Sequence, residues 1–260
     1  MTQTAPSAPV FTTALAQTAE DLRAAQRLRY RVFVEELGGA GAMVDHEARL
    51  EQDRFDPFFD HLLLRDITRP EAEQVVGVYR LLRSEGATAV GQFYSEDEYD
   101  LGVLRQSGRR LLELGRSCLL PEYRGGAGMF HLWTALSAYV AQHQIEILFG
   151  VASFHGTDRA ALAAPLSLLY HAHLAPPELR VQARGAEALD MNMIAATELD
   201  RRAAVLEIPA LIKAYLRLGG FVGQGAYVDH AFNTTDVCLV LDTQRMNARQ
   251  RSIYTRPGGA

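Results

Sequence analysis

The sequence predicts one α/β domain, with helices packed on a mixed sheet, and three observations carry that expectation. Strand-like apolar runs alternate with helical stripes in the order helix, hairpin, strand, helix, strand, helix, strands. A glycine-rich turn, Tyr123-Arg124-Gly125-Gly126-Ala127-Gly128, joins a strand to a helix. No internal repeat or low-complexity linker divides the 260 residues, which are enough to bury a sizeable core.

Residues 1–17 read as a flexible tail, 18–245 as the domain and 246–260 as a C-terminal tail. Thr18 to Leu37 reads as the first helix: Thr18 and Asp21 have capping-box spacing, and Gly38-Gly39 ends the run. Leu22, Gln26, Arg29 and Phe33 share one face of it. Gly38 to Pro57 shows no periodicity, and a loop of that length inside a compact domain is usually functional. His61–Asp66 and Val75–Arg83, joined through Thr68-Arg69-Pro70, read as a hairpin. Leu111–Leu119 is a further strand. After the glycine-rich turn a helix runs to about His143, with Met129, Leu132, Trp133, Leu136 and Val140 as its buried stripe. Ile145–Phe154 is an apolar strand, and an apolar helix starts near Asp158. A less legible stretch leads to a short helix, Leu211–Leu218, closed by Gly219-Gly220. Phe221–Val228 and Val237–Leu241 are the late strands.

A formal net charge of −5 argues against nucleic acid as the main partner, because phosphate binding needs clustered Lys and Arg in excess. Cys118 and Cys238 are the two cysteines; no CxxC or Cys/His ligand spacing occurs, so neither a metal site nor a disulfide framework is indicated. A reducing, cytoplasmic setting is the plain reading. The N-terminus lacks the basic start and apolar block of a secretory signal. The nearest approach to a membrane span, Ala160–Pro177, is interrupted by Pro165, Ser167, His171 and His173.

The glycine-rich turn opens a helix, where free backbone N–H groups and the helix dipole can hold a phosphate or pyrophosphate. It can equally be a tight turn that requires small residues. It is not a P-loop, because the Gly-Lys-Ser/Thr ending is missing, and GxGxxG cannot be placed on it.

This turn resembles the acyl-donor loop of the GNAT superfamily, Arg/Gln-x-x-Gly-x-Gly/Ala, with Arg124 in the first place; Ala127 stands where glycine is usual and Gly128 falls one place late. Upstream, Arg29-x-x-x-Phe33, Asp53-x-x-Asp56, Arg80 and Glu113-x-x-Arg116 are similar to the motifs of the acyl-homoserine-lactone synthase branch. That branch carries an aromatic residue near the position of Gly39. The segments "LRYRVFVEEL", "FDPFFDHLLL", "ELGRSCLLPEYRGG", "ILFGVASFHGTD" and "FNTTDVCLVLD", spread over residues 27–242, resemble the bacterial L-ornithine Nα-acyltransferases. The resemblance implies a GNAT-like acyl-CoA/acyl-ACP N-acyltransferase fold with splayed central strands. It implies transfer of a long-chain 3-hydroxyacyl group from acyl carrier protein to the α-amine of L-ornithine, the first step of ornithine lipid biosynthesis. The donor would carry 4′-phosphopantetheine, no cofactor would be bound, and the product would bring the enzyme into peripheral contact with the inner membrane.

Attack of an amine on a thioester needs a proton acceptor, donors for the oxyanion and both substrates held together. Glu113 is the candidate base, with Arg116 brought to the same side by a bulge near Gly115; a structural Glu–Arg pair is the alternative. Asp53 and Asp56 can bind a cationic acceptor or cap the loop. Arg29 and Arg80 can hold the acceptor carboxylate or neutralise that acidic pair, and Phe33 completes the acceptor side. His155 can transfer a proton or cap a loop. Arg124, Gly125, Gly126, Ala127 and Gly128 would take the phosphopantetheine. Arg105, Arg109 and Arg110 are a candidate docking face for an acidic carrier protein or an ordinary solvated turn. Ala160–Tyr170 can line an acyl groove. Cys118 reads as a buried core residue, and Asp229, His230 and Asp236 as turn residues. The rival readings are a synthase of another N-acyl amino acid or acyl-homoserine lactone, and a non-catalytic acyl-carrier-binding module.

Overall fold

The computed structural model describes residues 8–246. Seven strands carry the main sheet: β1 (Phe11–Leu15), β2 (Asp60–Asp66), β3 (Val75–Arg83), β4 (Leu111–Leu119), β5 (Ile147–His155), β6 (Ala226–Asp229) and β7 (Thr234–Asp242). Their spatial order is β1-β2-β3-β4-β5-β7-β6, with the pair Ala188–Leu189 added beyond β6. All neighbours are antiparallel except β4 and β5, which run parallel. The expected mixed sheet is therefore present. Phe11–Leu15, expected within a tail, instead form an edge strand on β2. Thr12, Thr13 and Ala14 are exposed and only the strand's ends touch the core, so its pattern is too faint to read from sequence.

The first helix, α1 (Ala19–Arg29), starts at the expected Thr18–Asp21 capping box. It then widens into a π-helical turn, Tyr30–Glu36, and ends at Leu37 and the left-handed Gly38. Such wider turns concentrate at functional sites, and this one carries Phe33. Helix α2 (Gly128–Gln142) lies on the opposite face of the sheet, its Leu132 against Gly77 of β3. Helix α3 (Arg159–His173) puts Leu166, Leu168 and Leu169 into the core. Two short helices follow, α4 (Arg201–Glu207) and α5 (Ala210–Arg217). The expected late strand Phe221–Val228 is broken at Gly223–Gly225, its two halves pairing with different parts of β7. Among the described residues no helix is long and apolar enough to cross a membrane.

Two backbone irregularities shape the centre of the sheet. β4 and β5 pair only over Leu111–Ile147, Leu112–Leu148 and Glu113–Phe149, and beyond that they splay. At the fork Gly150 lies so close to β4 that a Cβ on it would sit 2.1 Å from the Leu114 carbonyl oxygen. On the other side of β4 the register with β3 slips between Val78 and Arg80. Arg116, with φ +49°, occupies the resulting bulge, a conformation rare for a long side chain.

Candidate active site

The splay opens a cleft of about 240 Å³ between β4 and β5, walled by Phe33, Tyr94, Arg116, Ser153, Phe232, Asp229 and Asp236. Arg116 enters it because the bulge turns its side chain there. Its guanidinium lies 4.9 Å from the Phe232 ring centre, 5.0 Å from that of Tyr94 and 5.9 Å from that of Phe33, distances at which a cation is attracted to a ring face. Phe232 also packs over Gly39, where a Cβ would be 2.6 Å from its ring. A ring from the β6–β7 turn thus occupies the space beside Gly39.

Behind the cleft lies a buried network of three arginines and three carboxylates. Arg29 donates to Glu51, to its backbone carbonyl at 2.8 Å and to both oxygens of Asp56 at 2.7 and 3.1 Å. Arg80 donates to Asp53 at 2.6 Å and to Asp56 at 2.8 Å. Arg116 reaches Glu51 at 3.1 Å and the Tyr94 hydroxyl at 3.2 Å. Gln26 donates to Asp56 at 2.9 Å. Burial alone would raise the Glu51 carboxyl, but Arg116, Arg29 and Arg80 outweigh it and hold it down to about 2. Asp56 is likewise pushed up by burial and pulled below the usual carboxylate range by Arg29 and Arg80.

The motif residues Arg29, Asp53, Asp56, Arg80 and Arg116 are therefore brought together, and they neutralise one another. The alternative in which Arg29 and Arg80 pair with the acidic residues is the observed one. Arg29, Asp56 and Arg80 do not line the cleft, whereas Phe33 and Arg116 do. The network pins the long Gly38–Pro57 loop beneath α1. Glu51, absent from the sequence-based set, is its third carboxylate; a charged residue at the end of an aperiodic loop gave no local signal.

Glu113, the candidate base, faces away from the cleft. Its carboxylate accepts the backbone N–H of Tyr94 at 2.7 Å, that of Ser95 at 2.6 Å and the Ser95 hydroxyl. The reason is strand alternation: Glu113 shares its face with Leu111 and Leu82, on the side where Phe93 and Tyr99 pack. Burial pushes the carboxyl up to about 7 against these donors. Its evident work is to hold the Phe93–Glu98 segment, and hence Tyr94, against the cleft. Glu113→Gln places an amide NH₂ against a backbone N–H, and a loss of about 1–3 kcal/mol in urea unfolding is expected. Unchanged stability with lost turnover would give Glu113 a chemical role instead.

His155 lies at the exposed end of β5, opposite Thr234, and is not among the cleft walls. Arg105 is engaged by Glu96, Arg109 by Asp242 at 2.6 and 2.7 Å, and Arg110 by Gln144. These three sit before the start of β4, whereas the glycine-rich turn follows its end. A nine-residue strand, about 30 Å long, separates them.

The turn itself stands where the sequence puts it. Gly125 has φ +74°, and Gly128 lets α2 approach Tyr123, whose carbonyl oxygen would lie 3.2 Å from a Cβ. No side chain caps the first turn of α2, so its amides are open to an anion. Arg124 is anchored by Glu36 at 2.5 and 2.7 Å. Beside the turn lies a largely apolar cavity of about 610 Å³, lined by Val32 and Phe33 of the first helix, Cys118 and Leu119 of β4, Met129, Phe130 and Trp133 of α2, and Ala210, Leu211 and Ala214 of α5. Ala160–Tyr170, the expected groove lining, is not part of it; Leu166, Leu168 and Leu169 are spent on the core. Burial pushes the Cys118 thiol up to about 12, which leaves it without nucleophilic character at neutral pH. Phe33, Leu37, Ser117 and Leu211 border both this cavity and the cleft, so the two spaces meet.

A splayed parallel strand pair, its first strand leading through a glycine-rich turn into a helix N-terminus, defines an acyltransferase of the GNAT type, and the family model described as "Acetyltransferase (GNAT) domain" matches residues 28–134. The architecture is shared with the acyl-homoserine-lactone synthase LasI (TM-score 0.52, 15% identity, 95% of each chain). It is also shared with FeeM, an N-acyl amino acid synthase from uncultured soil microbes (TM-score 0.51, 12% identity, 94% of this chain and 98% of that one). The sequence is 62% identical to an L-ornithine N(alpha)-acyltransferase of Rhodobacter capsulatus over 93% of both chains. A Brucella abortus protein of the same name is 42% identical over 92% of this chain and 87% of its own. The chain belongs to the L-ornithine N(alpha)-acyltransferase family.

Proposed function

We propose that this enzyme transfers a long-chain 3-hydroxyacyl group from the phosphopantetheine thioester of acyl carrier protein to the α-amine of L-ornithine, forming lyso-ornithine lipid. The observation that carries this reading is the junction of the two spaces: an apolar cavity with room for an acyl chain opens at Phe33 and Ser117 onto a cleft whose walls include two carboxylates and an arginine. The names of the relatives support the acceptor.

The α-ammonium first gives one proton to solvent water; its neutral nitrogen then attacks the thioester carbonyl. A C–N bond forms, the C–S bond breaks, and a proton from nitrogen ends on the departing thiolate. Past Glu113 the inner edge of β4 has no strand partner, so its backbone N–H groups are available to the oxyanion. Arg116 and Phe33 shape the acceptor side, and the open amides of α2 suit the phosphate of the donor arm.

Mass spectrometry of products from the purified protein, 3-hydroxyacyl carrier protein and a panel of amino acids including ornithine tests this. A 3-hydroxyacyl-ornithine peak standing clear of the others is expected. No amide with any acceptor, from a protein shown to bind the carrier, would make it an acyl-binding module. Equal turnover with the matching coenzyme A thioester would remove the carrier protein from the proposal.

A further inference from the structure

Three carboxylates converge at one wall of the cleft, and Asp236, expected in a turn, lies instead within a strand. Glu98 follows the Tyr94–Asp97 turn, Asp229 ends β6 and Asp236 lies within β7; one oxygen of each lies within 4.8 Å of the others. Asp229 and Asp236 form part of the cleft wall. Glu98 is only 5% exposed and Asp236 4%, yet Glu98 Oε2 and Asp236 Oδ1 have no hydrogen-bond partner. Asp229 Oδ1 accepts the N–H groups of Ala231 and Phe232 at 2.8 and 3.2 Å, which leaves its second oxygen. The nearby cation, Arg116, already answers Glu51 and Asp53. Three carboxyl groups are thus gathered at one wall with unused polar atoms, and ionising all of them is costly unless a cation completes the site. Burial, then repulsion from Asp236 and Asp229, pushes Glu98 far above the usual carboxylate range, and burial pushes Asp236 up to about 6 against the neighbouring Ser153 and Thr234 hydroxyls.

Resting on the ornithine reading above, we infer that Glu98, Asp229 and Asp236 form the subsite for the side-chain ammonium of the acceptor, and so select a diamino acid. The α-amine is the poorer partner for them. It has to be neutral to attack, and a tight ion pair would hold its proton. The distal ammonium takes no part in bond making and can stay charged throughout. A side chain without it would leave the buried carboxylates unanswered, the situation in which a polar site discriminates most strongly.

The test compares ornithine with norvaline, which has the same carbon chain and lacks the terminal ammonium, in wild type, Asp236→Asn and Asp229→Asn. Acylation kinetics and calorimetric binding are both measured. Wild type should favour ornithine by at least about 100-fold in kcat/KM. In the variants that ratio should collapse, mainly through a higher KM for ornithine. Asp229 is half-buried, so its variant keeps the test valid if Asp236→Asn does not fold. Equal losses on both substrates would overturn the inference and make the cluster structural or chemical. Titration with Mg²⁺, Ca²⁺ or Mn²⁺ that binds wild type tightly but not the variants would overturn it in favour of a metal site. If wild type acylates neither amino acid, the ornithine reading fails by itself. Calorimetry then decides the cluster: a preference for ornithine that Asp229→Asn abolishes retains the subsite, and no preference removes it.

Discussion

Arg29→Met should lower the unfolding free energy by about 3–5 kcal/mol, the cost of removing one partner from a buried ion network. Arg29 is wholly buried and its donors are divided between Glu51 and Asp56. Without it, two buried carboxylates keep only Arg80 and Arg116 as counter-charges. The Gly38–Pro57 loop loses its anchor to α1, and Phe33 and Arg116 lose the frame that aims them into the cleft. Arg29→Lys retains the charge but cannot fork between two carboxylates, so it should fall between the two. Urea unfolding with an unchanged m-value measures both. A loss below about 1 kcal/mol in Arg29→Met would show that the network is dispensable for folding.

Ala214→Trp should reduce turnover of a long-chain donor by about 100-fold and spare a short-chain donor, because the new ring fills part of the apolar cavity proposed to take the acyl chain. Ala214 lines that cavity from α5, and it is separate from the cleft walls and from the charge network. A 1 Å misplacement of a reacting group is enough for a loss on the order of 10², and an acyl chain excluded from its cavity moves its carbonyl further than that. Steady-state rates against a series of acyl lengths give the result. Equal losses at all lengths would mean that α5 had moved, and no loss would place the chain elsewhere.

What the sequence could show was what is local or periodic. The Thr18–Asp21 box, the hairpin and the turn before α2 each declare themselves within a few residues and are present, while of the stripe from Met129 to Val140 Leu132, Leu136 and Val140 are buried and Met129 and Trp133 line the apolar cavity. The bulge expected near Gly115 is found at Arg116, but it turns Arg116 into the cleft without bringing Glu113 to the same side. The spaced motifs marked Arg29, Asp53, Asp56, Arg80 and Arg116 as related, and they do meet; spacing did not reveal that they satisfy each other and leave the substrates to other groups. The direction of Glu113 was lost for a similar reason, since alternation fixes the face it shares but not what covers that face. The acidic wall was illegible because Glu98 and Asp236 lie 138 residues apart. Asp236 carried one overlooked cue: a carboxylate set in a strand whose following residues, Val237 to Leu241, are all apolar. Apolar composition marked Ala160–Tyr170 as buried, but could not distinguish core from cavity wall.

The balance of the buried network, with Arg29, Arg80 and Arg116 against Glu51, Asp53 and Asp56, also constrains how the family can diverge. A single change at any of these six positions leaves an uncompensated charge inside the protein, so most one-step mutational paths pass through a poorly folded intermediate. Drift should therefore be slow and correlated there. The wall of the proposed acyl cavity, built largely from interchangeable apolar residues, is free to change one position at a time, so new acyl-chain preferences should arise far more readily than a new way of holding the loop.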